Sequence, residues 1–173
     1  MVFFQDISHF SNMRDYLPIL NGALFVEIIV LFLALSQTKP SALQTWYKTY
    51  RLSAVIADVL IVVLGIIIAR FLYPFIFDTF SIWKFILLLL GLQTIHDILF
   101  YGFFTLIPRG KNQMLDLFKD YAKSVGGSAI LGDSLIVIFS ALFASILAKY
   151  TTNTNIITTI IAVYFIPYFL YIQ

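Results

Sequence analysis

The chain has 173 residues, 61% of them hydrophobic and only 12% charged, with a formal net charge of +2. A soluble domain carries about a quarter charged residues, so this composition excludes an ordinary water-soluble globule. The small charge argues against nucleic-acid binding, and the lack of cysteine excludes disulfides, thiolate metal sites and thiol redox chemistry.

A helix needs about 20 consecutive apolar residues to cross a bilayer, and the chain offers such segments in series. The first, Leu17–Ser36, carries Glu27 at its centre. Its end, Ala34-Leu35-Ser36, has the small residues of a signal-peptidase site, but the segment is long, acidic at its centre and not clearly basic ahead of it. It therefore reads as a retained span. Leu43–Tyr50, with Trp46, Tyr47 and Tyr50, reads as a short amphipathic helix in the headgroup plane. The second span, Leu52–Tyr73, has Asp58 near its start and Arg70 near its end, where a long side chain can snorkel to the surface.

The third span, Ile82–Ile107, places Gln93, Asp97 and Tyr101 on one face at i, i+4, i+8, with His96 on the flank. Asn112–Val125 is a second interfacial helix, with Leu115, Phe118, Ala122 and Val125 on its apolar face. The fourth span, Ser128–Lys149, contains Asp133, which either points inward or caps the helix at Gly132-Asp133-Ser134. Thr151–Asn155 reads as a polar turn. The fifth span, Ile156–Ile172, contains Pro167, which predicts a kink or an interfacial end.

The second and fourth spans align. Ser53-Ala-Val-Ile-Ala-Asp58-Val-Leu-Ile-Val62 matches Ser128-Ala-Ile-Leu-Gly-Asp133-Ser-Leu-Ile-Val137, and upstream Tyr47-Lys48-Thr49-Tyr50 faces Phe118-Lys119-Asp120-Tyr121. Glu27 precedes Lys39-Pro40 much as Asp97 precedes Pro108-Arg109. The predicted fold is a single all-α transmembrane domain over residues 1–173. It is a polytopic bundle of five helices, made of a tandem helix-hairpin duplication (17–73 and 82–149) plus a fifth helix (156–172). Counted from each aspartate, one helical face carries the small residues Gly65 and Ala69 in the first copy and Ser140 and Ala144 in the second, a pattern that lets helices approach closely in lipid.

Lys39, Lys48 and Arg51 in the first connection and Arg109, Lys111, Lys119 and Lys123 in the third outweigh Arg14, Arg70, Lys84 and Lys149 on the other side. The bias predicts the N-terminus outside and the C-terminus inside.

Charge at membrane depth is costly and marks candidate functional residues. Glu27, Asp58, His96, Asp97, Tyr101 and Asp133 are accordingly the candidate proton or cation pathway, or else a polar core that fixes helix register. Four ionised carboxylates cannot share such a site without protons, a cation or water. No nucleotide-binding, zinc-protease or serine-hydrolase motif occurs, and His9 and His96 are the only histidines, so no metal, cofactor or enzymatic activity is expected. The flanks Ala57-Asp58-Val59 and Gly132-Asp133-Ser134 also lack the patterns of intramembrane aspartyl proteases.

Gln93-x-x-His96-Asp97-x-x-Phe100-Tyr101, Pro108-x-Gly110-x-Asn112, Phe118-Lys119-x-Tyr121-Ala122 and Gly132-Asp133-Ser134 resemble segments of multi-span membrane proteins encoded by large double-stranded DNA viruses of algae and protists. So does Tyr50-Arg51-Leu52-Ser53-Ala54 with Asp58 and Gly65-x-x-x-x-Arg70. The resemblance runs through the first four spans and implies a virion inner-membrane or host-membrane location, with no activity to carry over. The leading expectation is a structural component of a viral or host-derived membrane. Its partners would be the lipid bilayer and either a second copy or a capsid or membrane protein. The alternative is a proton- or cation-conducting channel or transporter.

Overall fold

A computed structural model describes residues 3–39 and 41–171. After a single 3-10 turn at Met13–Asp15 the helices are α1 (Tyr16–Leu35), α2 (Ala42–Tyr50), α3 (Leu52–Ile76), α4 (Ile82–Leu106), α5 (Gln113–Val125), α6 (Ser128–Leu147) and α7 (Thr152–Leu170). Of these, α1, α3, α4, α6 and α7 are long and apolar enough to cross a membrane, which makes this an integral membrane helix bundle.

Local chemistry sets the helix starts. Ser41 accepts a hydrogen bond from the Gln44 amide, Asn112 from those of Met114 and Leu115, and Thr151 from that of Thr154. The last of these caps corrects the reading of Thr151–Asn155 as a turn: Thr151 is an N-cap, and the fifth span begins at Thr152. The helix continues through Pro167 to Leu170. Residue 172, the end of the expected span, lies outside the described residues, as do residue 173 and Pro40. Asp133 sits beyond the first turn of α6, which starts at Ser128, so it does not cap that helix.

The helix that is apolar all round becomes the centre of the bundle. α1 is the most buried span, packed chiefly on α6 and α7 and also on α3; α4 closes the far side against α3 and α6 and is the most exposed span. The two short helices touch each other at one end of the bundle, α2 against α1 and α3, α5 against α4 and α6. Near that end the Arg51 guanidinium donates to the Leu170 carbonyl at 3.2 Å and lies over the Tyr171 ring. At the other end, Gln5 and Ser145 exchange hydrogen bonds through the Gln5 backbone. The N-terminal segment and the end of α7 therefore lie on opposite faces, as an odd number of spans requires.

Two polar clusters join the helices. The first is fully satisfied. Asn21 donates to the backbone and side-chain oxygens of Asn155 at 2.9 and 3.1 Å, Thr159 donates to the Asn21 side-chain oxygen at 2.7 Å, and Asn155 donates to the carbonyls of Leu147 and Thr151. This cluster pins α7 to α1. Asn155→Leu is expected to lower stability by about 1–2 kcal/mol, read as an earlier midpoint in detergent-denaturation curves.

The second cluster corrects the expectation for Arg70. Its side chain does not snorkel to the surface. It is 0% exposed, its Nη2 donates to the carbonyls of His9 and Asn12 and to the Asp15 carboxylate, and its guanidinium lies over the Tyr16 ring. Burying an arginine requires partners, and here the N-terminal segment wraps over the end of α3 and supplies them to Nη2, while Nε and Nη1 have none among the described residues.

Candidate acid cluster

Each of four packed helices contributes one carboxyl: Glu27 from α1, Asp58 from α3, Asp133 from α6 and Asp97 from α4. Counted along each helix at 1.5 Å per residue, all four lie roughly 8 to 14 Å from the end that carries α2 and α5. They form a series rather than a knot. Glu27 lies within electrostatic range of Asp58, and Asp133 within range of both Asp58 and Asp97. Among the described residues no three His, Cys, Asp or Glu side chains converge as a metal site would require.

The partners of these acids are few. Asp58 accepts from Trp46 Nε1 at 2.9 Å, and Asp97 accepts from Gln93 at 2.7 Å with the His96 ring 3.3 Å away. Glu27 is 3% exposed, yet its Oε1 has no hydrogen-bond partner among the described residues; the same holds for Asp97 Oδ2 and, further along the α1–α6 seam, for Ser140 Oγ. Arg70, the buried cation, is committed at the opposite end and neutralises none of these carboxyls.

The short helices roof the cluster. The Tyr47 hydroxyl sits between Glu27 and Asp58, where burial first, then those two carboxyls, holds the phenol well above its ordinary range, so it stays a proton donor. Tyr121 on α5 is likewise raised by burial, then by Asp133 and Asp58. Trp46 and Phe118 meet across the roof with ring centroids 5.0 Å apart. Residues that read as headgroup anchors are thus partners of the acids.

At its far edge the cluster reaches the surface, where the His96 side chain is 41% exposed and stacks on Phe100. Tyr101 does not join the cluster, a correction to the i, i+8 expectation. It is 57% exposed and packs edge-on against Phe104, because α4 has neighbours on one side only.

The small-residue face divides. Ser140 and Ala144 line the α1–α6 crossing at Gly22, and Ala69 is buried, but Gly65 is only half-buried: a Cβ there would meet nothing nearer than Leu89 Cδ1 at 3.7 Å. The glycine that matters is Gly22, where an added Cβ would lie 2.5 Å from the Ser140 carbonyl oxygen and 2.8 Å from the Ala144 nitrogen. Gly22, Asn21, Asn155 and Thr159 are the residues sequence reasoning passed over. The available signal was a polar or minimal side chain within an apolar span.

The roof is fastened to α4 outside the membrane spans by Arg109, which donates to Asp120 at 2.6 Å. That hydrogen bond, with Arg109's charge behind it, holds the Asp120 carboxyl below its ordinary range. A depressed folded pKa means the link contributes above the unfolded value, about 3.9, and is lost as pH falls through the lower folded one. Acid titration of Trp46 fluorescence is expected to show a transition below pH about 4 that Asp120→Asn removes.

Comparison of the chain with family models, curated proteins and solved structures finds no match.

Proposed function

We propose that this is a non-enzymatic integral membrane protein whose four acids hold and pass protons through the half of the bundle roofed by α2 and α5. The observation that carries the reading is Glu27, a deeply buried carboxyl with an orphan oxygen, grouped with three more carboxyls and, among the described residues, no lysine or arginine paired to any of them. Burying such a group is unfavourable unless it serves a transient ligand. The Asn21–Asn155–Thr159 cluster, by comparison, satisfies its donors. Protons are favoured over a bound metal cation because no three of the acids converge among the described residues.

The matching Asp58 and Asp133 support an origin by duplication. So does the reciprocal packing, in which α1 and α4 each contact both α3 and α6 while α2 meets α5. The lysine and arginine bias supports placing the roof on the cytoplasmic side. The resemblance to viral membrane proteins makes a virion or infected-cell membrane the proposed location. A structural role is the second reading, favoured by the Trp46–Asp58 and Gln93–Asp97 hydrogen bonds, which would also fix helix register.

The test is proton flux into vesicles loaded with a pH-sensitive dye. Flux is expected in the native protein and is expected to fall at least tenfold in Glu27→Gln and in Asp97→Asn, the loss of general proton transfer being worth about 10² or more. Vesicles that show no flux, or variants that conduct like the native chain, overturn the proposal and leave the acids as scaffold.

A further inference from the structure

At the end of α4, where it turns into α5, the surface is indented by a cavity of about 420 Å³ that plays no part in the acid cluster. Its walls are of two kinds. Tyr101 and Phe104 from α4 form an aromatic floor, and Arg109, Lys119 and Lys123 form a cationic rim. Both kinds follow from position: α4 is leaving the apolar layer here, so its last turns are aromatic, while α5 lies across the end of the span with its basic residues turned toward it.

The cations differ in how far they are committed. Arg109 is paired with Asp120. Lys119 donates to the Ile107 carbonyl and lies 3.8 Å from Asp116, so it is held in place with its charge only partly offset. Lys123 is exposed and makes no ion pair or hydrogen bond among the described residues. Three positive charges therefore border the cavity against the two aspartates, and Lys123 is the least committed of them.

We propose that this cavity binds the phosphate headgroup of an anionic phospholipid in the leaflet on the α2/α5 side. Lys123 and Arg109 would hold the phosphate, and the start of an acyl chain would lie on Tyr101 and Phe104. The argument is charge complementarity at a fixed depth. A free anion would use the rim alone, whereas a lipid uses the rim and the aromatic floor together, and the cavity opens where a lipid's headgroup and chain meet. The inference is independent of the proton-transfer reading, since it uses none of the four acids.

The experiment is native mass spectrometry of the full chain extracted from bilayers of equal parts phosphatidylglycerol and phosphatidylcholine. The native protein is expected to retain phosphatidylglycerol preferentially. Lys123→Gln is expected to reduce that preference about fivefold, the equivalent of about 1 kcal/mol for one cation near the surface, and Arg109→Gln/Lys123→Gln more. Lys84→Gln, at the other end of the bundle, is expected to leave it unchanged. Lys123 is exposed and unpaired, so its replacement does not threaten folding. Equal retention of the two lipids, equal loss in Lys84→Gln, or full displacement by millimolar inorganic phosphate would each overturn the proposal, the last by showing that a free anion suffices.

Discussion

Gly22→Val is expected to prevent stable assembly of the bundle. The Cα of Gly22 lies against the backbone of α6, and even a single added carbon would fall 2.5 Å from the Ser140 carbonyl oxygen and 2.8 Å from the Ala144 nitrogen. Backbone atoms at a helix crossing cannot rotate aside as a side-chain tip can, so α1 and α6 must separate. Overpacking typically costs 1–3 kcal/mol where side chains can adjust; here we expect about 3 kcal/mol or more, because the loss extends along the most heavily packed seam in the molecule. Gly22→Ala is expected to show a smaller loss of the same kind. Gly65→Leu is expected to be mild, since its nearest neighbour is the movable end of Leu89. Thermal aggregation in detergent, followed by size-exclusion chromatography, ranks the three. A Gly65 variant as damaging as the Gly22 variant would contradict this account of the packing.

Arg70→Leu is the second large effect. The guanidinium is fully buried and is the common partner of the Asp15 carboxylate and of the His9 and Asn12 carbonyls. Removing it leaves a buried carboxylate uncompensated, which costs about 3–5 kcal/mol, and it releases the N-terminal segment from the end of α3. Limited proteolysis is expected to cut within residues 3–12 of the variant while the spans stay protected. Arg70→Lys is expected to fall between, because a lysine ammonium keeps the charge beside Asp15 but loses the flat guanidinium that lies over the Tyr16 ring. The paired change Asp15→Leu/Arg70→Leu is expected to recover part of the loss, since neither charge is then stranded. Full stability of Arg70→Leu would mean that the segment is held by Ile7 and the Gln5–Ser145 bonds alone.

Much of the bundle was legible in the linear chain because the membrane simplifies the rules. Apolar run length set the five spans to within a few residues, except that the Thr151 cap lengthened the fifth at its start. The amphipathic pattern located α2 and α5, and their proposed position against the headgroups followed from Trp46, Tyr47 and Phe118. The acids drew attention because charge is rare in such segments. Their order along the bundle was not legible. Asp58 meets Glu27 on one side and Asp133 on the other only because α3 and α6 lie between α1 and α4.

Arg70 illustrates where the linear reading failed. From its place near a span's end, a snorkelling side chain was the natural expectation, yet segment 3–12 folds back and buries it. Composition and periodicity determined, by themselves, that this chain is a five-span helix bundle, because the number of apolar residues needed to cross a bilayer is fixed by its thickness. Which residues face one another was decided by tertiary structure. Helices that are apolar all round carry almost no pattern to say which side turns inward; contacts such as the close approach at Gly22, the Asn21–Asn155 bonds and the enclosure of Arg70 decide it.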